Sequence, residues 1–198
     1  AALEGYAEAI GELGASRVRM VATSATRDAA NREAFVQGVT RILGVPPEVV
    51  SGDEEALLSF SGVTRGLPSD AHPPRLVIDI GGGSTEFVLG DDGIHAARSV
   101  DLGCVRLTER CLHSDPPTAA EVRAAEAMVD AAIDSAAQAV PLSTARTLVG
   151  LAGSVTTVAG IALGLPAYDP AKIHLSRIPA ADVREISDRL LRMSHDER

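Results

Sequence analysis

The residues best able to do chemistry lie in Leu76-Val-Ile-Asp-Ile-Gly-Gly-Gly-Ser-Thr-Glu-Phe-Val-Leu-Gly90. Asp79 interrupts an apolar, β-branched run, and a carboxylate there is costly unless it faces a site. Gly81, Gly82 and Gly83 follow, able to take φ > 0 and leaving backbone N–H groups uncovered by side chains. Ser84 and Thr85 add hydroxyls, and Glu86 begins a return strand. An acid beside bare amides and hydroxyls suits a phosphate and its divalent cation. The same residues also fit a tight hairpin whose glycines serve only the turn.

Other stretches carry similar chemistry more weakly. In Ser51-Gly-Asp-Glu-Glu-Ala56, Ser51 and Glu54 have capping-box spacing, which gives Glu54 a structural role. Glu55 has none; on a helix it shares a small, polar face with Ser59 and Gly62, suited to a cleft wall. The alternative is an exposed acid favoured by the helix dipole. Thr23-Ser-Ala-Thr-Arg27 places hydroxyls and an arginine at a strand end, either as an anion contact or as a helix entrance with a solvated Arg27. Ala152-Gly-Ser-Val-Thr-Thr157 repeats the strand, small-residue turn and helix pattern. Arg106 reaches an anion or lies on the surface, and His174 reads as structural.

The elements that must position these residues follow from periodicity. Leu3, Tyr6, Ala7, Ile10 and Leu13 recur at helical spacing up to Gly14. Residues 18–23 read as a strand, Asn31 as the cap of a helix carrying Phe35, Val39 and Ile42, and Val49 and Val50 as a brief apolar pair. A helix with the stripe Ala56, Phe60 and Val63 ends at Gly66. Residues 67–74, rich in proline, are the expected linker between two domains. Three strands then form an antiparallel meander, the third at residues 94–100. A short helix follows, then a long one capped by Thr118 and Glu121 with the stripe Val122, Ala125, Val129, Ala132, Ala136 and Val140. Residues 147–151 read as a buried strand, residues 166–178 as loop, and an amphipathic helix starts at Ala180.

With 198 residues, 45% hydrophobic and 23% charged, the chain can bury a sizeable core in one domain or two small ones. A net charge of −9 argues against a broad nucleic-acid surface, so a polyanion must be gripped locally. No apolar run spans a membrane and no signal peptide is evident. Cys104 and Cys111 lack metal-site spacing and read as buried free thiols of a reducing cytoplasm. The opening Ala-Ala-Leu, without Met, and the absence of a final helix stop suggest a segment of something longer.

Thr23-Ser-Ala-Thr-Arg27, Ser51-Gly-Asp-Glu-Glu-Ala56, Asp79-Ile-Gly-Gly-Gly-Ser-Thr-Glu86 and Gly150-Leu-Ala-Gly-Ser-Val-Thr156, in this order, resemble the exopolyphosphatase/guanosine pentaphosphate phosphatase family, end to end. The resemblance implies an α/β fold of the actin, sugar kinase and Hsp70 superfamily, with two RNase H-like domains around a cleft, here residues 1–72 and 73–198. It implies an exopolyphosphatase that releases orthophosphate from inorganic polyphosphate by metal-assisted attack of water. The alternatives are a guanosine pentaphosphate phosphohydrolase and a non-catalytic polyphosphate- or nucleotide-binding regulator; an ATP-dependent kinase is disfavoured by the Ser51–Ala56 motif. By motif position, Glu55 would be the catalytic carboxylate, and Asp79 and Glu86 would hold Mg²⁺ or its water shell. Arg27, Gly81, Gly82, Gly83, Ser84 and Thr85 would bind phosphate. A cytoplasmic homodimer, with no nucleic-acid or membrane partner, is the expected form. The family opens with an Asp-x-Gly-(Thr/Ser)-Asn-Ser loop that this chain lacks, so the first domain is expected to be incomplete.

Overall fold

The computed structural model describes residues 2–198. They divide into two compact units, one ending at Glu55 and the other running Ala56–Arg198. The first contains α1 (Ala2–Glu12), β1 (Val21–Ala22), α2 (Ser24–Asp28), α3 (Arg32–Leu43), β2 (Glu48–Val49) and the first turn of α4 (Gly52–Thr64). β1 and β2 pair in parallel. Each contributes only two residues, which leaves the expected strand over residues 18–23 short. Gly14 and Gly44 follow their helices in the left-handed conformation that a helix C-terminus favours. Asn31 precedes α3 but its side chain makes no capping bond, contrary to expectation. The apolar face of α1 is not fully buried: Tyr6 is 64% and Leu13 85% exposed.

The second unit is built on β3 (Arg75–Ile80), β4 (Thr85–Gly90), β5 (Ile94–Val100), α5 (Cys104–Cys111), α6 (Ala119–Ala137), β6 (Thr147–Leu151), α7 (Ala152–Ala162), α8 (Pro170–Ile173) and α9 (Ala180–Arg192). The sheet order is β5-β4-β3-β6. The first three strands are an antiparallel meander, and β6 returns through α5 and α6 to lie parallel to β3. The result is the expected α/β fold, with a mixed sheet.

Strand alternation sorts the meander's side chains onto two faces. Leu76, Phe87, Leu89 and Val100 pack with Ala136 and Val140, at and just beyond the end of α6. Val77 and Val88 lie on the other face and pack with Ala56 and Phe60 of α4. That second contact explains the position of the division between units. Residues 56–64 of α4 join the core of the sheet, so the division falls between Glu55 and Ala56 rather than at the proline-rich residues 67–74. α6 begins with the predicted capping box, Thr118 accepting from the Glu121 amide and Glu121 from Thr118. Where the sequence suggested only loop, Asp169 caps the short α8. Among the described residues no helix is long and apolar enough to cross a membrane.

Candidate active site

The glycine turn between β3 and β4 is held from behind by the start of α5. The Gly81 carbonyl accepts from the Cys104 amide at 2.9 Å, and the Gly82 carbonyl accepts from the amides of Val105 and Arg106, both at 3.1 Å. Donors at this helix N-terminus are therefore spent on the turn. Neither Gly81 nor Gly82 is left-handed, so the expected φ > 0 is not their role. Close approach is. A Cβ on Gly103 would lie 2.4 Å from the Gly82 carbonyl carbon and 2.5 Å from the oxygens of Gly81 and Gly82.

This packing narrows the expected phosphate cradle. The Gly81 amide closes the turn onto the Ser84 carbonyl at 3.0 Å. Thr85 donates its hydroxyl to the Leu102 carbonyl at 2.6 Å, and Ser84 is only 2% exposed. The amides of Gly82, Gly83 and Ser84 have no backbone acceptor among the described residues. Cys104, expected to be buried, is exposed because it starts the helix laid over this turn; Cys111 is buried.

Asp79 and Glu86 stand directly opposite each other on β3 and β4, so their side chains share a face of the sheet. Asp79 is half-buried, and its Oδ2 accepts from the Ser59 hydroxyl of α4 at 3.0 Å. Glu86 is 1% exposed and accepts from Ser99 of β5 at 2.8 Å. Ser59 and Ser99 were not singled out as partners of these acids by the sequence. The polar face of α4 was visible, but nothing local in the sequence aims it at β3.

In the first unit, Arg27 is half-buried on α2 and donates through Nη1 to the Val50 carbonyl at 2.8 Å. That leaves further guanidinium N–H groups for another acceptor. Glu55 lies half-buried in the first turn of α4. Its neighbour Glu54 makes half of the expected capping box: the Ser51 hydroxyl accepts from its amide at 3.2 Å, but its carboxylate meets Arg19 at 3.2 Å. Arg19 also binds Glu48 at 2.6 Å, and the charge-assisted bond holds the Glu48 carboxyl below its ordinary range. Beyond β6, α7 starts at Ala152, which has a positive φ of 70°.

No cluster of three or more His, Cys, Asp or Glu among the described residues forms an all-protein metal cage. Two oxygen-donor carboxylates in register suit a hard cation such as Mg²⁺, which commonly takes one or two carboxylates and completes its shell with phosphate and water.

The family model described as the Ppx/GppA phosphatase family matches residues 1–198. The chain is 50% identical over 202 aligned residues to exopolyphosphatase 2 of Mycobacterium tuberculosis, covering all of this chain and 63% of that protein. It superposes on the crystal structure of an exopolyphosphatase-like protein with a TM-score of 0.96 and 44% identity, over all of this chain and 64% of the other. A Ppx/GppA family member from Aquifex aeolicus gives a TM-score of 0.78 at 32% identity, over all of this chain and 62% of the other. The chain thus spans somewhat under two thirds of the length of these relatives.

Proposed function

The chain belongs to the Ppx/GppA phosphatase family, and from that premise we propose that it is the part of an exopolyphosphatase that binds and cleaves the terminal phosphoanhydride of inorganic polyphosphate. The observation that carries this reading is the pair Asp79 and Glu86, in register beside a turn whose Gly82 and Gly83 amides have no backbone acceptor. Acid and amide together match a phosphate accompanied by a cation. The 50% identity to a protein named exopolyphosphatase supports polyphosphate as the substrate.

In this reading the two compact units, residues 1–55 and 56–198, belong to two RNase H-like domains, the boundary lying earlier than the expected 72/73. Asp79 and Glu86 would hold Mg²⁺ or its water shell, and such a cation would neutralise charge on the phosphate. Gly82, Gly83 and Ser84 offer amides to the terminal phosphate, and Arg27, in the first unit, has guanidinium N–H groups to offer a phosphate. Glu55 accepts a hydrogen bond from the attacking water and takes up its proton as the new P–O bond forms. The bridging P–O bond breaks in line, giving orthophosphate and a chain one residue shorter. No covalent nucleophile is needed.

The experiment is phosphate release by the full-length protein from polyphosphate, guanosine pentaphosphate and ATP, each with Mg²⁺. The proposal expects turnover of polyphosphate to exceed the other two. Preferential turnover of guanosine pentaphosphate would replace it, and binding without turnover of any would leave only a phosphate-binding role.

A further inference from the structure

Ser59 differs from other helical hydroxyls of this chain. Thr40, Thr64, Thr108 and Ser187 each turn back to the carbonyl four residues earlier in their own helix, at 2.8–2.9 Å. This is the usual outlet for a hydroxyl inside a helix. Ser59 instead gives its proton across to Asp79 Oδ2 at 3.0 Å. The other oxygen, Oδ1, has no hydrogen bond among the described residues and is not fully buried. One carboxylate oxygen is therefore fastened and the other presented.

We propose that Ser59 is a positioning residue for cation binding: it fixes the Asp79 carboxylate so that Oδ1 is held ready for Mg²⁺ or for a water of its shell. This rests on the reading of Asp79 as a metal-site acid. The support for Ser59 is itself well anchored. Ala56 and Phe60, flanking it on α4, are buried against Val77 and Val88, so the helix cannot slide along the strand that carries Asp79. A free serine would lose rotamer choice on binding this acid; here the packing has already fixed the distance. Hydrogen-bonded outer partners of a metal-binding carboxylate govern affinity because they hold the ligand's orientation.

The test is calorimetric titration of the full-length protein with Mg²⁺ in the presence of inorganic phosphate, comparing Ser59→Ala, Ser59→Thr and Asp79→Asn. Alanine favours a helix more than serine does, so Ser59→Ala leaves α4 sound. The expected result is an Mg²⁺ dissociation constant raised about 10-fold or more by Ser59→Ala, the range of outer-partner effects, and restored to within roughly threefold by Ser59→Thr. A purely structural hydroxyl would instead lower the melting temperature and leave Mg²⁺ affinity unchanged. That outcome, or a threonine variant as weak as alanine, overturns the proposal. If Asp79→Asn itself binds Mg²⁺ like the wild type, the metal-site reading of Asp79 fails with it. If Asp79→Asn abolishes binding and Ser59→Ala does not, the role of Ser59 alone is refuted.

Discussion

Replacing Gly103 by alanine tests whether the glycine turn and α5 form one rigid unit. Gly103 has φ −130° and ψ 170°, an extended backbone open to any residue, so no conformational penalty arises. The cost is steric. The added Cβ would meet the Gly82 carbonyl carbon at 2.4 Å and the Gly81 and Gly82 oxygens at 2.5 Å, all of them backbone atoms that cannot rotate aside. Relief requires a shift of most of an ångström, which pulls the Cys104, Val105 and Arg106 amides off their carbonyls. Three such bonds at about 0.5–1.5 kcal/mol each give a loss of about 1.5–4.5 kcal/mol. For a chain of this size that lowers the melting temperature by about 3–18 °C. The displaced turn also misplaces the Gly82 and Gly83 amides, so phosphate affinity falls in parallel. Gly38→Ala, in α3 and outside the candidate site, where an added Cβ meets nothing within 4 Å, serves as the control. Thermal melts of both variants with and without phosphate are the assay. A Gly103→Ala protein that melts and binds phosphate like the wild type would refute the close-packed turn.

Phe60→Ala removes the aromatic ring that α4 buries against the sheet and should cost about 3–5 kcal/mol in chemical denaturation; a loss under about 1 kcal/mol would show that α4 is not part of that core. Glu121 has its carboxyl pulled down to about 2 from an ordinary 4.5 by the Thr118 amide and hydroxyl, and by the His113 amide and Ser114 hydroxyl. A depressed folded-state value means its stabilisation is complete above about pH 4.5 and disappears as the pH falls toward 2. The melting-temperature gap between wild type and Glu121→Gln should close across that window, and a gap that persists at pH 2 would contradict it. Glu54→Gln removes only an exposed partner of Arg19, so its melting temperature should stay within about 2 °C of wild type, with any difference fading in high salt.

The meander, the bounds of β6 and the α6 capping box were legible because each rests on local pattern: residues 94–100 and 147–151 form strands with those same bounds, although β6, expected to be buried, is an edge strand with Leu148 67% exposed. The second unit's membership was less legible. Proline-rich residues 67–74 carry the local marks of a linker, but Ala56 and Phe60 commit α4 to the sheet through contacts that span some twenty residues of sequence. Asp79 and the glycines stood out as chemically unusual. What did not stand out was which atoms remain open: Thr85 and the Gly81 amide are spent inside the fold, and Gly103 matters only because the α5 entrance lies on the turn. The spacing of Ser51 and Glu54 predicts a full capping box, whereas Arg19, distant in sequence, claims the Glu54 carboxylate.

Glu55→Gln in the full-length enzyme bears most directly on the central claim. Glutamine keeps the size and hydrogen bonding of Glu55 but cannot take a proton from water. Steady-state hydrolysis and binding of polyphosphate with Mg²⁺ should show turnover lowered by about 10²–10⁴-fold with affinity little changed, while Glu54→Gln, one residue away, behaves like the wild type. Near wild-type turnover by a folded Glu55→Gln enzyme, or equal losses from both substitutions, would contradict the assignment of Glu55 and with it the water-activation mechanism.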